Sequence, residues 1–172
     1  SDAGGRPSAA PGRMSVPETL ARRVAQLPAH SGLVVAFSGG PDSTALLHAL
    51  AQLPGARARG LRAIHVHHGL SSQADAWAAS CAAVAARLGV PLRILHVTVP
   101  PASPLGVEGA AREQRYAALR ADLATGEVLL TAHHADDQAE TVLSRLARSA
   151  GAQGLQGIHA VMEFPPGHLC RP

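Results

Sequence analysis

Ser38-Gly39-Gly40-Pro41-Asp42-Ser43-Thr44 gathers, in seven consecutive positions, the groups an anion needs. The adjacent glycines let the backbone take conformations a Cβ would forbid and come close to a ligand. Ser43 and Thr44 add hydroxyls and N–H groups at the start of the apolar run Ala45-Leu46-Leu47. The N–H groups of a first helical turn carry the positive end of the helix dipole, so phosphate is the natural occupant. A Walker A loop needs a Lys after its last glycine, and the 172-residue sequence contains none. The dinucleotide fingerprint G-x-G-x-x-G is also absent, because Gly39 and Gly40 are adjacent and no third glycine follows in register.

Histidines and acids form the next groups. His65-Val66-His67-His68-Gly69-Leu70 and His133-His134-Ala135-Asp136-Asp137-Gln138-Ala139-Glu140 each follow a short apolar run. Neutral imidazole is a common transition-metal ligand, but the spacing matches no zinc pattern such as H-E-x-x-H, and alternating strand-end histidines cannot all point inward. Asp137 with Glu140 reads in one way as a capping box. That leaves Asp136 and the double His unexplained, and a hard Mg²⁺ ion bridging phosphates takes one or two carboxylates of the kind this cluster offers. Arg112 shares a helical face with Tyr116, Leu119 and Leu123, at the end of its helix where phosphates would sit, and guanidinium holds a phosphoryl group bidentately.

The elements that must position these groups follow from periodicity. Short apolar runs alternate with longer amphipathic ones from Leu33 onward, which predicts an open, mostly parallel α/β sheet with helices on both faces. Strands are expected near 33–38, 61–67, 92–98 and 127–132, and helices near 43–53, 73–88, 106–124 and 137–148. A further helix should start after Ser15, where Ser15-Val16-Pro17-Glu18 is a capping box and Leu20, Val24 and Leu27 repeat on one face. Ligands of such sheets collect beyond the carboxyl ends of the strands, where all the groups above would meet.

Composition sets outer limits. The length suits one domain, with residues 1–14, rich in Gly, Pro, Ala and Ser, as a flexible leader and 15–172 as the nucleotide-binding unit. Fifteen basic residues against 12 acids give +3, compatible with a phosphate-rich partner without requiring one. Stacking platforms for nucleic acid are few: Trp77, Tyr116, Phe37 and Phe164. Cys81 and Cys170 form no C-x-x-C pair, and Cys81 falls on an apolar stripe with Trp77, Val84 and Leu88, the pattern of a buried inert thiol. No uncharged run approaches the roughly 20 residues of a membrane span, and the cytoplasm is the expected compartment.

Taken together, Ser38-Gly-Gly-Pro-Asp-Ser43, His65-Val-His-His-Gly-Leu70, Ala111-Arg112-x-x-Arg115-Tyr116 and Ala132-His-His-x-Asp-Asp-Gln-Ala-Glu-Thr141 resemble the N-terminal PP-loop domain of the tRNA(Ile)-lysidine synthetases, a Rossmann-like fold. The resemblance implies a carbon–nitrogen ligase using ATP and Mg²⁺. Such enzymes adenylate C2 of the wobble cytidine of tRNA(Ile) with a CAU anticodon, releasing pyrophosphate, and free L-lysine then displaces AMP to give lysidine.

Carried over by position, the resemblance has Ser38, Gly39, Gly40, Asp42, Ser43, Thr44 and His67 binding the nucleotide. Asp42, Arg112, His133, Asp137 and Glu140 serve catalysis, and Asp42 and Asp136 hold Mg²⁺. Arg148-Ser149-Ala150-Gly151 departs from the family's Arg-Gly-Ser-Gly-like stretch. Members continue past the Arg-Pro at 171–172 into tRNA-binding domains, so the sequence is expected to be a fragment, inactive alone. Oligomeric state stays open, a homodimer of the longer protein being one reading. The alternatives are another PP-loop adenylating enzyme, either a tRNA thiolase or an amidotransferase-like one, and a nucleotide-binding module without activity.

Overall fold

The computed structural model describes residues 15–132 and 161–170. The expected leader over 1–14 and helix over 137–148 lie outside these residues, as do His133, Asp136, Asp137 and Glu140. The chain opens with α1 (Val16–Gln26), whose capping box forms as expected: the Glu18 carboxylate accepts from the Ser15 N–H at 2.8 Å, and the Ser15 hydroxyl accepts from the Glu18 N–H. Leu20 and Val24 turn inward from it. There follow β1 (Leu33–Ala36), α2 (Pro41–Ala51), a short α3 (Pro54–Ala58), β2 (Arg62–His67), α4 (Ala74–Leu88), β3 (Leu92–His96), α5 (Gly106–Asp122) and β4 (Val128–Leu130). A hairpin of β5 (Val161–Phe164) and β6 (Gly167–Cys170) completes the described chain.

The strands form one six-stranded sheet in the order β3-β2-β1-β4-β6-β5, parallel except for β5, which runs antiparallel to β6. The expected α/β class and mostly parallel sheet are therefore observed. The sequence reading missed α3 and the hairpin. Their apolar runs are short and interrupted by proline and glycine, too brief for either a helical or an alternating period to declare itself. Helix α2 begins at Pro41, two positions earlier than expected, because proline's fixed φ suits a first helical position and Gly40 serves as its N-cap.

Period-two alternation builds a core on each face of the sheet. Leu33, Val35 and Phe37 pack to one side with Leu47 and Leu50 of α2 and Cys81 of α4. Val34, Ile64 and Leu129 point to the other, where Leu119 of α5 and Phe164 cover them. This division follows from handedness. The chain steps β1 to β2 to β3 in one direction, then returns over both strands to β4; right-handed crossovers in opposite directions put α2 and α4 on one face and α5 on the other.

At the amino edge of the sheet, Arg62 bonds Asp122 at 2.7 Å and Glu127 at 2.6 Å, and Arg93 reaches Asp122 at 2.7 Å. This ion cluster ties β2, β3 and α5 to the start of β4. The hydrogen bond from Arg62 holds the Glu127 carboxyl below its usual pKa. No helix among the described residues is long and apolar enough to cross a membrane.

Candidate functional site

The chain moves outward from β1 on one flank and comes back to β4 on the other, so β1 stands at the point where strand order reverses. The crevice beyond such a point is where open α/β sheets receive ligands. Phe37, Ser38, Gly39 and Gly40 leave β1 into that crevice and end at the first turn of α2.

The loop's polar atoms form a closed circuit. The Gly39 N–H donates to Ser43 Oγ at 3.2 Å and the Gly40 N–H to Ser38 Oγ at 3.3 Å. The two hydroxyls are 3.0 Å apart, and Ser43 donates onward to the Gly40 carbonyl at 3.3 Å. Since that bond uses the Ser43 proton, Ser38 is the donor between the two. Serine oxygens thus take the acceptor role at Gly39 and Gly40 that phosphate oxygens would take. Thr44 differs from expectation: its N–H is bonded to the Gly40 carbonyl as the first helical bond, at 3.0 Å, which leaves only its hydroxyl for a ligand. Ser43 is buried and Asp42 exposed in the same first turn.

The glycines have distinct tasks. Gly39 sits at φ +84°, and a Cβ there would meet Cys81 Sγ at 2.6 Å and Trp77 Nε1 at 2.8 Å. At Gly40 a Cβ would touch only Ser38 Oγ, at 3.5 Å, inside the cradle. A side chain is excluded at Gly39 by the fold, whereas at Gly40 there is space for one.

Next to the loop opens a cavity of about 260 Å³. Ser38, His67, Trp77, Arg115, Tyr116 and Thr131 are among its lining residues. Thr131 is 3% exposed, and its hydroxyl has no partner among the described residues. His65 is buried and its Nδ1 lies 2.9 Å from the Phe37 carbonyl, which makes Nδ1 the protonated nitrogen. Burial, offset in part by that bond, pushes its pKa down, and the neighbouring His67, His68 and His96 push the same way, so the ring is neutral. His67 Nε2 lies 2.7 Å from Asp75 Oδ1, and its ring packs against His96 at 4.6 Å between centroids. Among the described residues no three His, Cys, Asp or Glu side chains converge on a metal position.

Of the residues singled out in the sequence, Ser38, Gly39, Gly40, Asp42, Ser43, Thr44 and His67 meet at this edge. Arg112 lies half-buried on α5, one turn before Tyr116, while Arg115 is among the described residues that line the cavity. Cys81 is buried as expected, and burial pushes its thiol pKa up. Trp77 departs from the expected apolar stripe: it is 51% exposed, and its indole N–H donates to the Ser38 carbonyl at 2.6 Å. Arg115 stood in the Arg-x-x-Arg spacing and Thr131 at the end of a strand, signals that could have marked both.

The decisive comparison is with known families: the model described as the PP-loop domain matches residues 16–172. The chain belongs to the PP-loop domain family. The Ser38–Thr44 loop, which the sequence likens to a PP-loop, lies within the matched residues. A tRNA(Ile)-lysidine synthase of Alkalilimnicola ehrlichii is 56% identical over 156 residues, covering 91% of this chain and 35% of the relative. Proteins of the same name from Pseudomonas aeruginosa and Xanthomonas campestris are 54% and 52% identical, each over about four-fifths of this chain and 32% of their own length. The PP-loop chain therefore spans about a third of the length of the curated relatives it matches.

Proposed function

We propose that this domain binds ATP and performs the adenylating half of lysidine formation on the wobble cytidine of tRNA(Ile). The observation that carries the reading is the PP-loop itself, a serine-filled anion cradle at the strand-order reversal, in a chain similar to synthases of that name. On binding, the Gly39 and Gly40 N–H groups and the Ser38 and Ser43 hydroxyls would exchange their bonds to one another for bonds to the β- and γ-phosphates, which leave as pyrophosphate. The cytidine O2 attacks the α-phosphorus and the bond to the β-phosphate oxygen breaks, giving an adenylate. The amine of lysine then forms its bond to C2, and the C2–O2 bond breaks to release AMP.

Catalysis of this kind is mainly positioning and charge neutralisation. Arg112 and Arg115 of α5 are suited to countering negative charge on the transferred phosphoryl group. His133, Asp137 and Glu140 are assigned to catalysis by the resemblance, toward metal, lysine or cytidine. Asp42, exposed beside the cradle, offers the hard carboxylate oxygen Mg²⁺ prefers, with Asp136 as the second ligand of the proposal. Bound there, the ion would neutralise phosphate charge.

The test is label transfer by the full reading frame carrying this domain, supplied with ATP, radiolabelled lysine and tRNA(Ile) with a CAU anticodon. Label should enter the tRNA, with AMP and pyrophosphate released in equal amounts. Cleavage of ATP to ADP and phosphate with no label in the tRNA would overturn the reading.

A further inference from the structure

Two consecutive carbonyls at the mouth of β1 are each held from behind by an aromatic ring nitrogen. His65 Nδ1 is 2.9 Å from the Phe37 oxygen, and Trp77 Nε1 is 2.6 Å from the Ser38 oxygen. The second bond has a geometric consequence. In a trans peptide the C=O and N–H of one plane point in opposite directions. The carbonyl of Ser38 and the N–H of Gly39 share a plane, so a carbonyl turned toward α4 turns the Gly39 N–H away from α4 and into the cradle, where it meets Ser43 Oγ.

Trp77 also limits the loop from outside. It lies four residues before Cys81, one turn along α4, and a Cβ on Gly39 would collide with both side chains. The loop passes over α4 at contact distance, with its Ser38 carbonyl anchored there. An indole is an unusual choice for packing alone at this place, since half of its surface stays exposed. What distinguishes it from any other large side chain is the N–H.

We propose that Trp77 is a positioning residue of the PP-loop, its indole N–H fixing the Ser38–Gly39 peptide so that the Gly39 amide faces the phosphate. The inference rests on the phosphate-binding reading of the loop and deepens it. Trp77 acts through Gly39 and supplies no reacting group.

The sequence holds a single tryptophan, so the N–H can be removed without changing shape. Biosynthetic replacement of Trp77 by β-(3-benzothienyl)alanine puts sulfur where the N–H was, and Trp77→Phe is the genetic counterpart. Amide hydrogen exchange at Gly39 and the affinity for inorganic pyrophosphate with Mg²⁺ are measured in each. Both substitutions should leave the melting temperature near that of the wild type. Gly39 exchange should quicken and pyrophosphate affinity fall, each about tenfold, as expected for one lost hydrogen bond. Unchanged Gly39 exchange in the benzothienyl protein would overturn the proposal. If the wild type itself fails to bind pyrophosphate, the phosphate reading of the loop falls instead, whatever the substitutions do to Gly39.

Discussion

Gly40 and Gly39 are neighbours with opposite tolerances, and the difference makes a clean experiment. A side chain at Gly40 meets only Ser38 Oγ and enters the cradle, whereas at Gly39 it meets α4. Gly40→Val should therefore fold with a near-native melting temperature while ATP affinity drops at least about 100-fold, the loss of one or two charge-assisted hydrogen bonds. Titration calorimetry with ATP and Mg²⁺ on the variant checks this, and unchanged affinity would remove the loop from the site.

His65 makes a second residue-level prediction. It titrates near 6.5 in an unfolded chain, but burial beneath the loop holds it neutral in the folded one. Below that pH the unfolded state binds the extra proton, so stability should fall as pH drops through about 6.5 and below. Melting curves across this range should show a decline that flattens in His65→Asn.

The loop was legible in the sequence because its chemistry is local: seven adjacent residues define it. Trp77 was not, because its bond to Ser38 spans 39 residues and depends on how α4 lies against β1.

At the scale of elements, the hairpin matters most. Gly167 opens β6 against the start of β4, where the His168 N–H donates to the Glu127 carbonyl at 2.9 Å, and a Cβ on Gly167 would run into that same carbonyl. Gly167→Ala should cost about 1–3 kcal/mol by forcing β6 off β4. Chemical denaturation should show that loss, with faster amide exchange in β5 and β6. The parallel strands β1 to β4 and helices α2, α4 and α5 were readable because short apolar runs alternate there with long helical ones. The hairpin was not, since its two four-residue strands are separated by the Pro165-Pro166 turn and no helical run lies between them. Helix α5 was readable in extent, but which of its arginines faces the cavity depends on its rotation over the sheet, and that is set by Leu119 packing among Val34, Ile64 and Leu129.

Over the whole molecule, the two edges of the sheet are divided by task. Arg62, Arg93, Asp122 and Glu127 pair with one another at the amino edge, while the carboxyl edge carries the loop, the histidines and the cavity. On the proposed function, nucleotide binding needs only the second edge. The 172-residue chain alone should bind ATP with Mg²⁺, yet bind tRNA weakly, with steep salt dependence and no preference for tRNA(Ile), because affinity for RNA comes largely from many phosphate contacts and from stacking. Filter binding at several salt concentrations, with tRNA(Ile) and an unrelated tRNA, checks this; tight, selective binding would show that this domain reads the tRNA itself.

The place of β6 in the sheet has a consequence for how the protein is made. Leu130 pairs with Cys170, so an interior strand of the sheet is supplied by the last segment described. As the chain leaves the ribosome, Val128, Leu129 and Leu130 can pair with β1 early, but their other side stays open until residues 167–170 emerge. An apolar strand with an open side is a template for pairing with other chains. Synthesis that stalls between the two segments would thus leave a sticky nascent sheet, and β6, the last strand described, is the one that covers the open side of β4.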